Sequence, residues 1–213
     1  MIIAIDGPAG SGKSTVAKTL SKKLNFTYLS SGKIYRAIAY HLLVNNIDTD
    51  YEKNVEEQLV NIKIIYNTEL CLNGIAVEDK LSTEEISNQT SKISKYEFIR
   101  NFVNKIINNI SSNKNIIMDG RDIGTEVFPN ADYKFYLTAS AKIRADRRHK
   151  ELQNKGINSD FNEIYQSIKK RDFNDSSRKL APLKKAEDAF EIDSSNKSAE
   201  EVVEEMLEII NSN

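Results

Sequence analysis

The sequence feature that most constrains the fold lies close to the first residue: Gly7-Pro8-Ala9-Gly10-Ser11-Gly12-Lys13-Ser14. It fits the phosphate-binding pattern G-x-x-x-x-G-K-[ST], follows a short apolar run at residues 2–5, and leads into residues with helical spacing. Glycines let backbone N–H groups converge on a phosphate without Cβ clashes, and a helix N-terminus adds partial positive charge. The stretch therefore predicts a strand, a phosphate loop and a helix that together bind a nucleoside triphosphate.

Two side chains of this loop have predicted roles. Lys13 is expected to reach the β and γ phosphates, and Ser14 to coordinate Mg²⁺ through its hydroxyl. The expected ATP-binding residues are Gly7, Pro8, Ala9, Gly10, Ser11, Gly12, Lys13, Ser14 and Thr15. The alternative is a glycine-rich turn with an ordinary surface lysine. The loop does not identify the acceptor, because proteins with this loop include switches, motors and small-molecule kinases.

Composition narrows the partners. The net charge is −1, from 30 basic and 31 acidic residues, whereas general nucleic-acid binding depends on a summed basic field. No apolar run approaches the roughly 20 residues that a membrane-spanning helix needs. The single cysteine, Cys71, suits a reducing compartment. We therefore expect a cytoplasmic protein with no nucleic-acid or membrane partner.

Predicted strands and helices alternate at both ends of the chain, which indicates an α/β fold with a parallel sheet. Strands are predicted at residues 2–5, 26–29, 115–118, 133–140 and 189–193. Helices are predicted from about residue 13, at about 33–45, 97–111 and 162–171, and in a basic stretch that ends at Gly156. Ser198 and Glu201 predict a capping box at the start of the last helix.

Residues 50–90 have a different pattern. They alternate in polarity and contain Asn73-Gly74 between residues typical of strands, which predicts a β-hairpin. Ser82 and Glu85 predict a capping box for a helix that begins at Ser82. This part of the chain is therefore interpreted as a small antiparallel insert.

Five arginines lie near the ends of predicted elements: Arg36, Arg100, Arg121, Arg171 and Arg178. Phosphoryl transfer is catalysed mainly by positioning and by charge stabilisation of the transferred group. The arginine fork suits this because it binds phosphate with two hydrogen bonds. Any one of these arginines alone could form a surface salt bridge, but together they favour a shared anion site.

The segment that follows residues 115–118 suggests how an acceptor is held. Asp119 ends the strand where such folds keep an acid near magnesium, and Arg121 and Asp122 follow in the loop. Ligands of open α/β sheets bind at the carboxyl ends of strands. We interpret Arg121 as holding a phosphate and Asp122 as accepting from an exocyclic amino group such as that of cytosine. The alternative is a local Arg121–Asp122 ion pair.

A second polar segment contains Arg171, Asp175 and Arg178 at i, i+4 and i+7, which is one helical face if the helix persists. Asp175 there could accept from ribose hydroxyls while the arginines contact phosphate. An exposed stripe of salt bridges fits the same spacing equally well.

These segments together resemble bacterial cytidylate kinases. The resemblance runs through the stretches IAIDGPAGSGKSTVAK, YLSSGKIYRA, DGRDIGTEVFPNADYKFYL, RADRR and RDFNDSSRKLAPLKKAEDAFEIDSS, which extend over nearly the whole chain. It implies a three-layer P-loop kinase core with a parallel sheet, a nucleoside-monophosphate-binding insert and a lid. The implied division of this single domain is a core at about 1–30, 97–140 and 172–213, a monophosphate-binding region at about 31–96, and a lid at about 141–171.

The resemblance also implies roles for individual residues. Cytosine would be contacted by Ser31, Arg100 and Asp122. The phosphate of CMP and the transferred group would be contacted by Arg36, Arg121 and Arg178. The ribose side would be formed by Ser91, Arg171 and Asp175. The lid would carry Arg147 and Arg148. The catalytic set is then Lys13, Arg121, Asp175 and Arg178.

The implied reaction is transfer of a phosphoryl group from Mg-ATP to CMP or dCMP. The protein is expected to be a monomer. The chain departs from the family pattern on the acceptor side, where Ser30 replaces an aspartate and Lys33 a small residue. Two alternatives remain: a kinase that prefers UMP or another acceptor, and a non-catalytic P-loop protein that senses nucleotides. Uracil has a carbonyl where cytosine has an amino group, so Asp122 argues against UMP.

Overall fold

The computed structural model describes residues 1–66, 69–112 and 115–212. They form two compact units. The core unit comprises Met1–Leu29 and Lys114–Asn213, and the insert unit comprises Ser30–Asn113. The regular elements, in chain order, are β1 (Ile2–Asp6), α1 (Lys13–Leu24), β2 (Thr27–Ser30), α2 (Ser31–Val44), α3 (Glu52–Gln58), β3 (Ile64–Tyr66), β4 (Leu70–Leu72), β5 (Ile75–Ala76), α4 (Glu84–Ile93), α5 (Glu97–Ser111), β6 (Ile116–Gly120), β7 (Tyr133–Thr138), α6 (Ala141–Asn154), α7 (Phe161–Ser177), β8 (Phe190–Asp193) and α8 (Ala199–Ser212).

The sheet of the core unit has the strand order β2-β6-β1-β7-β8. Strand β1 pairs in parallel with β6 and β7, and β7 pairs in parallel with β8. In this register Asp6, the last residue of β1, lies opposite Gly120 and Tyr136. The carboxyl ends of these strands therefore meet at one edge of the sheet, as the sequence predicts for a parallel α/β fold.

Helices flank this sheet because the strands are apolar on both faces. Ile3, Ile5 and Ile117 are fully buried. Helix α1 adds Val16, Ala17 and Leu20, and α8 adds Val202, Val203 and Met206, and all of these residues belong to one hydrophobic core. The i, i+1, i+4 spacing on each helix gives one apolar face, so each helix buries a single side.

The insert unit contains a three-stranded antiparallel sheet in the order β3-β4-β5. Asn73 and Gly74 have φ values of 51° and 84°, so both adopt the left-handed conformation of a tight hairpin turn. The predicted hairpin is confirmed. Helix α5 buries Ile99, Val103 and Ile107, which are spaced four residues apart.

Three local features differ from the sequence-based expectation. Helix α4 is capped by Thr83, whose side chain accepts from the N–H of Ile86, so the predicted cap at Ser82 is wrong by one residue. Helix α3 was not predicted. Helix α5 belongs to the insert unit, whereas the sequence-based division counted residues 97–112 with the core.

The capping box of α8 is confirmed. The N–H of Ser198 donates to the Glu201 carboxylate at 2.7 Å, and the N–H of Glu201 donates to the Ser198 hydroxyl at 3.2 Å. Each side chain satisfies a backbone donor that the helix leaves unpaired. Within residues 1–66, 69–112 and 115–212, no helix has the length and apolarity needed to cross a membrane.

Candidate active site

The phosphate loop joins β1 to α1 with a backbone that its glycines make possible. Gly12, the N-cap of α1, has φ 92°, and Gly7 has φ 146°. A Cβ atom at Gly7 would lie 2.0 Å from the carbonyl oxygen of Leu137 on β7, so the loop touches the neighbouring strand too closely for a side chain. The predicted strand–loop–helix arrangement is confirmed.

The carbonyl oxygens of this loop accept hydrogen bonds from side chains. The Lys13 ammonium donates to Pro8 at 2.6 Å, and the Ser194 hydroxyl, which follows β8, donates to Ser11 at 2.9 Å. The Arg144 guanidinium, on α6, donates to Ala9 at 2.9 Å. Contacts from three parts of the core unit therefore hold the loop in shape.

Lys13 is almost completely buried. Burial lowers its pKa well below the ordinary value, and the charge of Arg121 lowers it further, while Asp119 and Asp6 oppose the shift. An ammonium group in such a place attracts anions strongly, because little water screens its charge. This environment suits the predicted contact of Lys13 with nucleotide phosphates.

Asp119 stands beside the first turn of α1. One of its carboxylate oxygens accepts from the Ser14 hydroxyl at 2.8 Å, and the other accepts from the Tyr28 hydroxyl at 2.8 Å. A hydroxyl and a carboxylate are hard oxygen ligands, and Mg²⁺ is usually held by one or two such groups plus phosphates and water. The pair of Ser14 and Asp119 therefore fits a magnesium ion bound with the triphosphate.

Asp6, at the end of β1, fixes the turn that follows β6. Its carboxylate accepts from the N–H groups of Ile123 and Gly124, at 2.8 and 2.7 Å. Burial raises the pKa of Asp6, and these two hydrogen bonds oppose the shift. Asp6 was not among the predicted site residues. Its position at the polar end of a buried strand was the available signal.

Two of the residues predicted to contact the acceptor phosphate, Arg121 and Arg178, lie beside the same aspartate in the core unit. Nε of Arg121 donates to Asp175 on α7 at 2.8 Å. Arg178 lies 3.9 Å from Asp175 and 3.9 Å from Asp122, measured between nitrogen and carboxylate oxygen. Its Nε also donates to the carbonyl of Ala181 at 2.6 Å. The carboxyl end of β6 and the last turn of α7 thus form one cluster of alternating charges.

Asp175 stands at the centre of this cluster. Burial raises its pKa, but the charge and hydrogen bond of Arg121, followed by the charges of Arg171 and Arg178, lower it, and the net shift is downward. The Asp175 side chain is only 9% exposed, so an exposed salt-bridge stripe does not describe this segment. The helix persists past Arg171 and Asp175, whereas Arg178 is its C-cap and has extended backbone.

The two arginines predicted for the lid have different surroundings. Arg147 donates to the carbonyl of Ser194 at 2.5 Å and to its hydroxyl at 3.2 Å. Arg148 pairs with Glu151 on the same helix at 2.9 Å, and its side chain is 38% exposed. Both lie on α6. Their roles in a lid stay predictions.

Four predicted acceptor residues belong to the insert unit. Ser31 begins α2, and Arg36, on the same helix, donates to the carbonyl of Leu81 at 2.7 Å. Arg100, on α5, donates to the carbonyl of Ser94 in the turn before that helix at 3.4 Å, and the Ser94 hydroxyl donates to the carbonyl of Ser91, on α4, at 3.1 Å. Ser91 and Arg100 therefore both contact Ser94. Their contacts with an acceptor stay predictions.

The departures from the family pattern also lie in this unit. Ser30 is the N-cap of α2 and is buried. Lys33 forms an ion pair with Glu78, and its ammonium lies 5.9 Å from the centre of the Tyr66 ring. Lys33 thus connects α2 to the segment beside the three-stranded sheet.

Comparison with known proteins identifies the family. Residues 3–212 match the family model described as cytidylate kinase. The chain is 45% identical over 204 residues to a cytidylate kinase of Fusobacterium nucleatum subsp. nucleatum, covering 95% of this chain and 94% of that protein. It is 44% identical over 212 residues to a cytidylate kinase of Clostridioides difficile, covering 99% and 98%.

A solved structure of shikimate kinase from Bacteroides thetaiotaomicron has a similar fold. The TM-score is 0.51, the sequence identity is 11%, and the match covers 99% of this chain and 98% of that one. At this identity the similarity concerns the fold alone. It agrees with the predicted P-loop kinase architecture.

Proposed function

Because the chain belongs to the cytidylate kinase family, we propose that it transfers the γ-phosphoryl group of ATP to CMP and dCMP, which yields ADP with CDP or dCDP. One structural observation carries the proposal beyond family membership. The core unit combines a complete phosphate loop with the Arg121, Asp122, Asp175 and Arg178 cluster. The charge of Arg121 influences both Lys13 and Asp175, so donor-side and acceptor-side residues are electrostatically coupled.

On the donor side, the loop residues 7–15 bind the triphosphate of ATP. Lys13 holds the β and γ phosphates with an ammonium that has little competing water. Ser14 and Asp119 would hold Mg²⁺, which would supply positive charge that offsets the negative charge of the phosphates. Asp6 keeps the turn after β6 in place, so that the residues after Gly120 have a fixed direction.

On the acceptor side, Arg121 and Arg178 bind the phosphate of CMP and the transferred group. Asp122 accepts a hydrogen bond from the cytosine amino group, and Asp175 accepts from ribose while it orients Arg121. Arg171, which lies on α7 with Asp175, adds positive charge near that carboxylate. The insert unit contributes Ser31, Arg36, Ser91 and Arg100.

The mechanism needs positioning more than proton transfer. The attacking oxygen belongs to the phosphate of CMP and already carries negative charge, so no strong general base is required. Catalysis then depends on holding two anionic phosphates together and on stabilising the charge that spreads over the transferred group. Arginines at fixed distances from carboxylates suit both tasks, because their orientation is set before substrate binds.

Further parts of the proposal concern the protein as a whole. The segment of residues 141–171, with Arg147 and Arg148, is proposed as a lid that closes over the nucleotide and excludes water. A monomeric state and a cytoplasmic location are proposed from the sequence.

One assay distinguishes the proposed activity from the two alternatives, a kinase that prefers another acceptor and a nucleotide sensor. ADP formation from Mg-ATP is measured with CMP, dCMP, UMP, AMP and no acceptor, for the wild type and for Asp122→Asn. The proposal expects kcat/KM for CMP to exceed that for UMP and AMP, and expects Asp122→Asn to lower it about 10-fold or more, because a neutral amide oxygen accepts from the base amino group more weakly than a carboxylate does. Asp146→Asn, on the exposed side of α6, serves as the control.

The alternatives are recognised from the same data. Turnover with UMP in place of CMP would indicate another acceptor and would contradict the role of Asp122. Binding of Mg-ATP with no acceptor-dependent turnover would indicate a nucleotide sensor. The arginine and aspartate cluster favours the kinase, because a sensor does not need charge directed at a transferred phosphoryl group.

A further inference from the structure

Arg144 donates hydrogen bonds both to the phosphate loop and to α7, and no role was predicted for it from the sequence. Arg144 is 4% exposed. Nε donates to the carbonyl of Ala139 at 2.8 Å, and one terminal nitrogen donates to the carbonyl of Ala9 in the phosphate loop at 2.9 Å. Both terminal nitrogens donate to the carboxylate of Asp172 on α7, at 3.0 and 2.5 Å.

Close packing at Gly10 holds the same helix against the loop. Gly10 has φ 79°, and a Cβ atom built there would lie 3.2 Å from Cβ of Arg144. A side chain at Gly10 would therefore crowd the side chain of Arg144. Arg144 is fixed to the phosphate loop both by this packing and by its hydrogen bond to Ala9.

Asp172 extends the connection to the acceptor side. It lies on α7 next to Arg171 and one helical turn before Asp175. Residues three apart on a helix lie on neighbouring parts of its surface. A chain of contacts thus leads from the loop, through Arg144 and Asp172, to the helix turn that carries Asp175 and then to Arg121.

We propose that Arg144 is a positioning residue that sets the phosphate loop in register with the acceptor-side residues of α7. This role rests on the proposed function, because α7 bears residues assigned to CMP. The guanidinium fork is required, since it reaches one backbone carbonyl and both oxygens of a carboxylate at once. A lysine at this position would carry the charge without that geometry.

The test compares Arg144→Lys, Asp172→Asn and the double variant with the wild type. Asp146→Asn is the matched control, because Asp146 also pairs with a cation on α6, at 2.8 Å from Lys150, but in an exposed position. For each protein, kcat and KM for CMP are measured at a temperature well below its own melting point. The Kd of Mg-ATP without acceptor is measured by calorimetry, and all values are corrected for the folded fraction.

The proposal predicts that Arg144→Lys changes kcat and the Kd of Mg-ATP but leaves KM for CMP nearly unchanged. Arg144→Lys lowers kcat about 10- to 100-fold, because small misplacements of reacting groups have effects of that size. It raises the Kd of Mg-ATP about 5-fold or more, because Ala9 loses its donor, while KM for CMP stays within about 3-fold. Asp172→Asn changes kcat and the Kd of Mg-ATP in the same direction by smaller factors, because Asp172 acts on the loop through Arg144.

The double variant gives a further test, because the effects of substitutions at two residues that act as one unit are not additive. It should be no worse than Arg144→Lys alone. If Arg144→Lys does not fold, the proposal depends on Asp172→Asn, which keeps the shape of the side chain. If Arg144→Lys and Asp172→Asn lower the melting temperature but leave kcat and the Kd of Mg-ATP within about 2-fold, like Asp146→Asn, the pair is structural and the proposal is wrong.

Failure of the proposed function gives a different pattern. A wild type that binds Mg-ATP but does not phosphorylate CMP would refute the kinase assignment. The Mg-ATP affinities of the variants would still decide the role of Arg144, because the hydrogen bond to Ala9 lies on the donor side.

Discussion

Replacing Asp175 with asparagine tests whether the charge cluster of the core unit is as tightly connected as its geometry indicates. Asp175 accepts from Nε of Arg121 at 2.8 Å, lies 3.9 Å from Arg178, and has a side chain that is 9% exposed. Asparagine keeps the shape and removes the charge. We expect the variant to fold with a lower free energy of unfolding and to lose activity.

The size of the effect follows from burial. Removing one partner of a fully buried ion pair costs about 3–5 kcal/mol, and a hydrogen bond to a charged group contributes about 1.5–3 kcal/mol. The Arg121 side chain is 20% exposed and also donates to the carbonyl of Gly120 at 3.3 Å, so part of its charge stays solvated. The expected loss is therefore about 2–3 kcal/mol, which corresponds to a decrease in Tm of roughly 4–12 °C for a chain of this length.

The pH dependence of stability shows whether the charge of Asp175 stabilises the fold. The pKa of Asp175 is lowered in the folded protein, so the charge stabilises the fold above the unfolded-state pKa of about 3.9. That contribution is lost as the pH falls through the folded-state pKa. The difference in unfolding free energy between wild type and Asp175→Asn should be constant from about pH 5 to 7 and should narrow below about pH 4, where a protonated aspartate resembles asparagine.

Urea unfolding of both proteins between pH 3 and pH 7 measures this difference. Asp146→Asn is the control, since Asp146 pairs with Lys150 in an exposed position and should change stability by at most about 0.5 kcal/mol. A loss for Asp175→Asn as small as that of the control, or a difference that does not narrow at low pH, would refute the account of the cluster.

Three other predictions concern the phosphate loop. Lys13→Met should lower kcat with CMP about 100-fold or more without reducing the urea midpoint, because burial disfavours the charged lysine; a large loss of stability would contradict this. Ser14→Ala should raise the Mg²⁺ concentration needed for half-maximal activity about 10-fold, and an unchanged Mg²⁺ titration would argue against its role as a ligand. Gly7→Ala should cost about 1–3 kcal/mol of unfolding free energy and weaken ATP binding, because its Cβ atom would lie 2.0 Å from Leu137. Gly32→Ala is its control, since the nearest atom there is 3.7 Å away, and equal stability of both variants would refute the clash.

Features that depend on neighbouring residues could be predicted from the sequence. The phosphate loop needs glycines at fixed spacing, the hairpin at residues 73–74 needs two residues that tolerate positive φ, and the cap of α8 needs Ser198 and Glu201 three positions apart. Each pattern is contained in fewer than ten residues. These predictions were therefore confirmed, apart from small shifts such as the cap of α4 at Thr83.

Features that join distant parts of the chain could not be predicted in this way. Asp172 lies 28 residues from Arg144, and the Ser194 hydroxyl donates to a carbonyl 183 residues away. Nothing in the sequence near Arg144 distinguishes it from Arg147 and Arg148, which were assigned to the lid. Only the structure shows that Arg144 is buried and that it donates to the carbonyl of Ala9 in the phosphate loop.

The partner of Arg121 is another contact between distant residues that the sequence did not predict. The sequence suggested either a ligand or its neighbour Asp122, whereas the structure pairs Arg121 with Asp175, 54 residues later. The polar segment after Arg171 also continues as a helix to Ser177, despite residues with weak helix propensity. Tertiary contacts explain this, since the carbonyl of Asp175 accepts from the N–H of Leu183 at 2.7 Å and its side chain is held by Arg121.

The most direct test of the central claim is to follow the transferred group itself. Phosphorus-31 NMR of the protein with Mg-ATP and CMP should show the γ resonance of ATP replaced by the β resonance of CDP, with one ADP formed for each CDP and little inorganic phosphate. Inorganic phosphate without CDP, or an unchanged spectrum from protein that binds Mg-ATP, would contradict the assignment of this chain as a kinase of CMP.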